Sequence, residues 1–152
     1  MHPRAILRAL ALLVIFPLVA LAQEPPAPRA YGSGVTTKIL LQTQTDGAGA
    51  KLVYPTSAPA EVSTVLVEIA PGRQTNWHTH PVPCFAYMLD GELSVETATG
   101  EKKTFRTGDA IAEVVNVLHN GTNSGPAPAR LILFVIGTAG QPFAVRPTPP
   151  PR

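Results

Sequence analysis

Between Ser63 and Ile136 the chain is a succession of short runs of β-branched, aromatic and other apolar residues, each closed by a polar or glycine-containing break. Thr36 to Leu41, Ser63 to Ala70, Phe85 to Leu89, Leu93 to Thr97, Lys102 to Phe105, Ala110 to Val115 and Leu131 to Ile136 all read as strands. Asp46-Gly47, Ala70-Pro71-Gly72, Asp90-Gly91, Thr99-Gly100, Thr107-Gly108, Asn120-Gly121 and Ser124-Gly125-Pro126 read as the turns between them. No stretch after residue 35 keeps a helical period with caps. Many short strands with frequent turns predict an all-β protein, an antiparallel sandwich or barrel closed on itself. Alternation also predicts facing: Leu93 and Val95 inward, Ser94 and Glu96 towards water.

The two ends carry different patterns. Met1 to Ala22 begins with Arg4 and Arg8, continues through an apolar run from Ala9 to Leu21, and closes on Ala20-Leu21-Ala22, the layout of a cleavable secretory signal peptide. Cleavage is expected after Ala22, which places the mature protein in the periplasm or outside the cell. The apolar run is short for a membrane span and no second one follows, so stable membrane insertion is not expected. Residues 23–34 are a proline- and glycine-rich linker and residues 146–152 a proline-rich tail, leaving 35–145 as one domain with one core.

The chain has 12 Lys and Arg against 10 Asp and Glu. Without Arg4 and Arg8 these become 10 against 10, and no basic stripe remains to attract nucleic acid. Cys84 is the single cysteine, which excludes an intramolecular disulfide and any Cys-x-x-Cys site. The expected partner is a small-molecule ligand or substrate, with a second copy of the chain as a candidate homodimer partner.

The chemistry concentrates in His78-Thr79-His80-Pro81-Val82-Pro83-Cys84. Residues i and i+2 of an extended segment share a face, so His78 and His80 can grip one ion. His119, beyond the Gly108-Asp109 turn, supplies a third imidazole if two segments converge. Asn123 is a residue whose amide is suited to tying up backbone, and Gly72, Gly91 and Gly108 mark backbone conformations that other residues resist.

Read as Gly72-x5-His78-x-His80-x3-Cys84-x6-Gly91 followed by Gly108 through His119-x3-Asn123, these positions resemble the two motifs of the cupin superfamily, small exported quercetin-dioxygenase-like members in particular. The resemblance implies a double-stranded β-helix, the jelly-roll barrel, with one divalent transition metal (copper, zinc, iron, manganese or nickel) at its mouth. The implied metal ligands are His78, His80 and His119. Cys84 stands where the first motif usually has glutamate. It is a candidate fourth ligand as a thiolate, or a small buried hydrophobe in the barrel wall. The run Cys84 to Gly91 also resembles the corresponding segment of animal cysteine dioxygenases, where the cysteine is cross-linked to a later tyrosine; here no tyrosine follows Tyr87.

Three neutral imidazoles leave the charge of a divalent ion uncancelled, which favours an anionic ligand. Glu113 is the candidate catalytic residue: facing inward it is a proton acceptor or a hydrogen-bond partner of a ligand histidine, facing outward a solvated strand residue. The functions compatible with this pattern are a metal-dependent dioxygenase-like oxidoreductase acting on a small anionic or enolizable substrate, a thiol dioxygenase-like enzyme, and a non-catalytic periplasmic module that binds a small ligand or metal.

Overall fold

The computed structural model describes residues 37–56 and 59–147; the predicted signal peptide, the linker 23–34 and most of the 146–152 tail lie outside them. Seven strands form: β1 (Ala60–Ile69), β2 (Cys84–Asp90), β3 (Glu92–Thr97), β4 (Lys102–Arg106), β5 (Ala110–Ala112), β6 (His119–Thr122) and β7 (Ala129–Thr138). They make one sheet in the order β1-β7-β2-β5 and a second in the order β4-β3-β6, antiparallel throughout. This is the jelly-roll, double-stranded β-helix architecture. Among the described residues no helix is long and apolar enough to cross a membrane.

The alternation that predicts the strands also builds the core. Along β2 the residues Cys84, Ala86 and Met88 are buried, and along β7 Ala129, Leu131, Leu133 and Val135, so one face of the larger sheet is continuous apolar surface. Leu93 from β3 and Phe105 from β4 meet it from the smaller sheet, with Val95 packed at the margin. Burying such side chains is worth about 1.5–3 kcal/mol each. Gly91, at φ 77°, turns β2 into β3, and a Cβ there would stand 2.8 Å from the carbonyl oxygen of Pro128. Asn123 is fully buried and its amide does tie up backbone: Nδ2 donates to the carbonyls of Ile69 and Ala127, and Oδ1 accepts from Gly125 N–H.

Three expectations are corrected. Thr37 to Leu41, the described part of the first predicted strand, forms no ladder; Leu40 and Leu41 lie in a groove with Phe85, Tyr87 and Phe134, where the neighbouring edge strand β5 is only 3 residues long and offers little backbone to extend. The predicted strand Ala110 to Val115 stops at Ala112, because Val115 N–H donates to the Asp46 carboxylate instead of to a neighbouring strand. Asn120-Gly121 is not a turn but lies inside β6. Gly121 serves close packing there, since a Cβ would come within 3.2 Å of Leu93 Cδ1.

Candidate metal centre

His78, Thr79 and His80 run as an extended segment between two neighbours. On one side His78 and His119 exchange both backbone hydrogen bonds, at 3.0 and 2.9 Å. On the other, Thr79 exchanges both with Val145, each at 2.9 Å. His80 O accepts from Asn116 N–H at 2.8 Å. Backbone pairing therefore joins the two distant histidine segments, and the three rings gather with centroids 4.3 to 5.0 Å apart.

Each ring is locked by a backbone carbonyl on its Nδ1. His78 Nδ1 lies 2.7 Å from Asn76 O, His119 Nδ1 2.8 Å from Val117 O, and His80 Nδ1 2.7 Å from Phe143 O. A carbonyl only accepts, so each Nδ1 carries the proton and each Nε2 keeps its lone pair. Asn76 at φ 63° and Asn116 at φ 58° adopt the left-handed conformation that asparagine tolerates, each within three residues of a histidine.

The donor set fits one ion. The ligand atoms of His78, His80 and His119 lie within 4.8 Å of one another, and oriented neutral imidazoles are the form a metal takes. Burial lowers the His80 pKa to about 4 against the raising effect of the Phe143 carbonyl, with His78 and His119 lowering it further. The pKa of His119 is likewise lowered, first by burial. These two rings stay neutral at physiological pH, so protons compete weakly for the site.

Cys84 is not part of this cluster. It is 1% exposed, its Sγ lies 3.6 Å from Val82 O, and burial, then the nearby Glu113, push its thiol up to about 12. Such a thiol is protonated at neutral pH. We expect Cys84→Ser to leave metal content unchanged while lowering stability by about 1 kcal/mol, the cost of a hydroxyl in an apolar wall; urea denaturation and elemental analysis check both halves.

The carboxylate missing from position 84 stands across the ladder. Glu113 N–H donates to Cys84 O at 2.9 Å, and its side chain turns into the barrel, with Oε2 4.0 Å from His119 Nε2. It is 9% exposed and burial pushes its pKa up to about 7. Of its two alternatives, solvated or inward, the inward one is realised.

Histidines and Glu113 border one cavity of about 220 Å³, walled mainly by Val67, Ile69, Leu93, Val95, Leu131 and Leu133, with Thr75 and Gly121 beside them. Phe143, Ala144 and Arg146 complete its rim. The sequence pattern placed Arg146 in the tail and missed both it and Phe143. No local motif announces them, because they reach the site only through the Thr79–Val145 pairing.

Residues 65–136 match the family model described as the cupin domain. Over these residues the barrel is similar to a cupin domain. No curated protein matches the chain. Among solved structures the chain is similar to a Neisseria meningitidis protein, with 24% identity, 50% of this chain and 74% of that chain covered, and a TM-score of 0.45. It is also similar to an oxalate oxidase in complex with the substrate analogue glycolate, at 23% identity, 55% and 45% coverage and TM-score 0.48. A third is a Lactobacillus farciminis oxalate decarboxylase formate complex, at 25% identity, 55% and 26% coverage and TM-score 0.48. The chain thus spans less than half the length of these two enzymes.

Proposed function

We propose that this protein is an exported cupin that holds one divalent transition metal on His78, His80 and His119 and acts on a small anionic or enolizable substrate as a dioxygenase-like oxidoreductase. The observation that carries this reading is the fixing of all three Nδ1 atoms by backbone carbonyls, which leaves three Nε2 lone pairs free in a cluster whose ligand atoms lie within 4.8 Å of one another. When bound, the metal supplies uncancelled positive charge and open coordination positions at which an anionic substrate and dioxygen can meet. The apolar walls exclude water around the three imidazoles and strengthen electrostatic interactions inside. Glu113, with a pKa of about 7, is matched to taking a proton at Oε2 from an enolizable carbon or a thiol near neutral pH. A cavity of about 220 Å³ falls below the roughly 300–1,000 Å³ of pockets that bury drug-sized ligands, which favours small diketones, acids or thiols over flavonols.

Export is read from the leader. Arg4 and Arg8 are not a twin-arginine pair, so the chain crosses unfolded and loads its metal outside the cytosol, where affinity order and availability favour copper or zinc. Protein recovered from a secreting host should begin at Gln23 and consume dioxygen with a small 1,3-diketone or thiol in an oxygen electrode. A rise in melting temperature with these compounds and no oxygen uptake would assign the binding-module reading instead. An intact Met1 would sink the export claim.

A further inference from the structure

The three histidines do not close their own cavity. The segment from Gln141 to Arg146 crosses the outside of His78-Thr79-His80, pinned by the double backbone pairing of Val145 with Thr79 and by the Phe143 carbonyl on His80 Nδ1. That puts Arg146, one residue beyond the pinned position, on the rim of the cavity the histidines border. Arg146 is exposed at this rim and makes no ion pair or side-chain hydrogen bond among the described residues. Arg130, by contrast, is paired with Glu68 and Asp90.

We infer that Arg146 is a specificity-determining residue that captures the carboxylate of a small acid at the cavity rim, with the acid's apolar chain against the aliphatic walls and its second donor towards the neighbouring histidines. This deepens the proposed function and rests on it for the metal-facing end alone. A guanidinium offers paired N–H donors in the geometry of a carboxylate, and it remains charged at any physiological pH. The cavity that Arg146 and the histidines both border has an aliphatic wall of Val67, Ile69, Leu93, Val95, Leu131 and Leu133, which rewards a hydrocarbon chain and leaves the anionic group the rim or the metal. Glu113 is the one acidic side chain bordering the cavity, and it belongs to the histidine end through its 4.0 Å approach to His119. The predicted occupant is therefore a short-chain carboxylic acid of branched or linear aliphatic character, bearing an oxygen or sulfur donor for the metal.

Isothermal titration of the zinc-loaded full mature chain with 4-methyl-2-oxovalerate, its methyl ester and isovalerate tests this. Both acids should bind, the keto acid more tightly, and the ester at least about tenfold more weakly than its acid. Arg146→Gln should weaken both acids by about tenfold or more while zinc content stays at the level of the parent, and Arg146→Lys should recover part of the loss because it restores charge without the fork. Equal binding of acid and ester, unchanged binding by Arg146→Gln, or no binding of either acid by the parent would each overturn the inference. Failure of the metal reading registers separately: isovalerate, which lacks the second donor, would still depend on Arg146 while elemental analysis found no zinc.

Discussion

The His78→Ala, His80→Ala double variant is expected to retain no stoichiometric metal, against about one ion per chain in the parent. The two rings provide two of three ligands, and His119 then keeps only the Glu113 carboxyl, 4.0 Å from its Nε2, with no further group of three histidine, cysteine or carboxylate side chains among the described residues. One imidazole beside one carboxyl does not hold a divalent ion through purification, so the loss should be complete. Stabilisation by metal should vanish with it: at a free ion concentration of about 100 times the Kd the parent gains about 2.7 kcal/mol, and the variant nothing. Elemental analysis and melting curves with and without added zinc read both effects, and in the parent X-ray absorption should give zinc–nitrogen distances of about 2.0–2.1 Å. Stoichiometric metal in the double variant would place the site elsewhere.

In the metal-free protein, Glu113→Gln should be more stable than the parent by about 3 kcal/mol near pH 8 and should lose that advantage towards pH 4. Burial raises the folded-state pKa of Glu113 from 4.5 to about 7. The folded state thus holds this proton more tightly than the unfolded state, and the associated stability is fully present below 4.5 and lost as pH rises through about 7. His80 works in the opposite sense. Its pKa falls from 6.5 to about 4, so its contribution is present above 6.5 and lost as pH falls through about 4. The two slopes oppose each other in the parent, which should show a shallow dependence over this range. Glutamine cannot ionise, so the variant keeps only the histidine slope and gains stability as pH rises towards 6.5. Urea midpoints collected from about pH 4 to about pH 8 decide it. Matching parent and variant values near pH 8 would mean that Glu113 is hydrated and its carboxylate carries no burial cost.

The all-β architecture and the three histidines were legible in the sequence because both depend on short-range periodicity. A period of two in runs such as Leu93-Ser94-Val95 predicts a half-buried strand wherever it occurs, and the same period puts His78 and His80 on one face. Strand limits were less legible. Thr37 to Leu41 has the pattern of a strand and no ladder to join, while Ala110 to Val115 ends early because Asp46, far away in the chain, claims the Val115 N–H. The inward turn of Glu113 was one of two open alternatives: it keeps the alternation of Ile111, buried two residues before it, but a carboxylate is ordinarily a solvated residue, and the sequence does not say which of these two tendencies wins. Only the tertiary structure placed the carboxylate opposite Cys84 and kept Cys84 itself out of the histidine cluster. Phe143 and Arg146 lay beyond any reading of the sequence. What brings them to the cavity is a pair of backbone hydrogen bonds between Thr79 and Val145, and backbone groups are alike in every residue, so side-chain patterns carry no record of which of them meet.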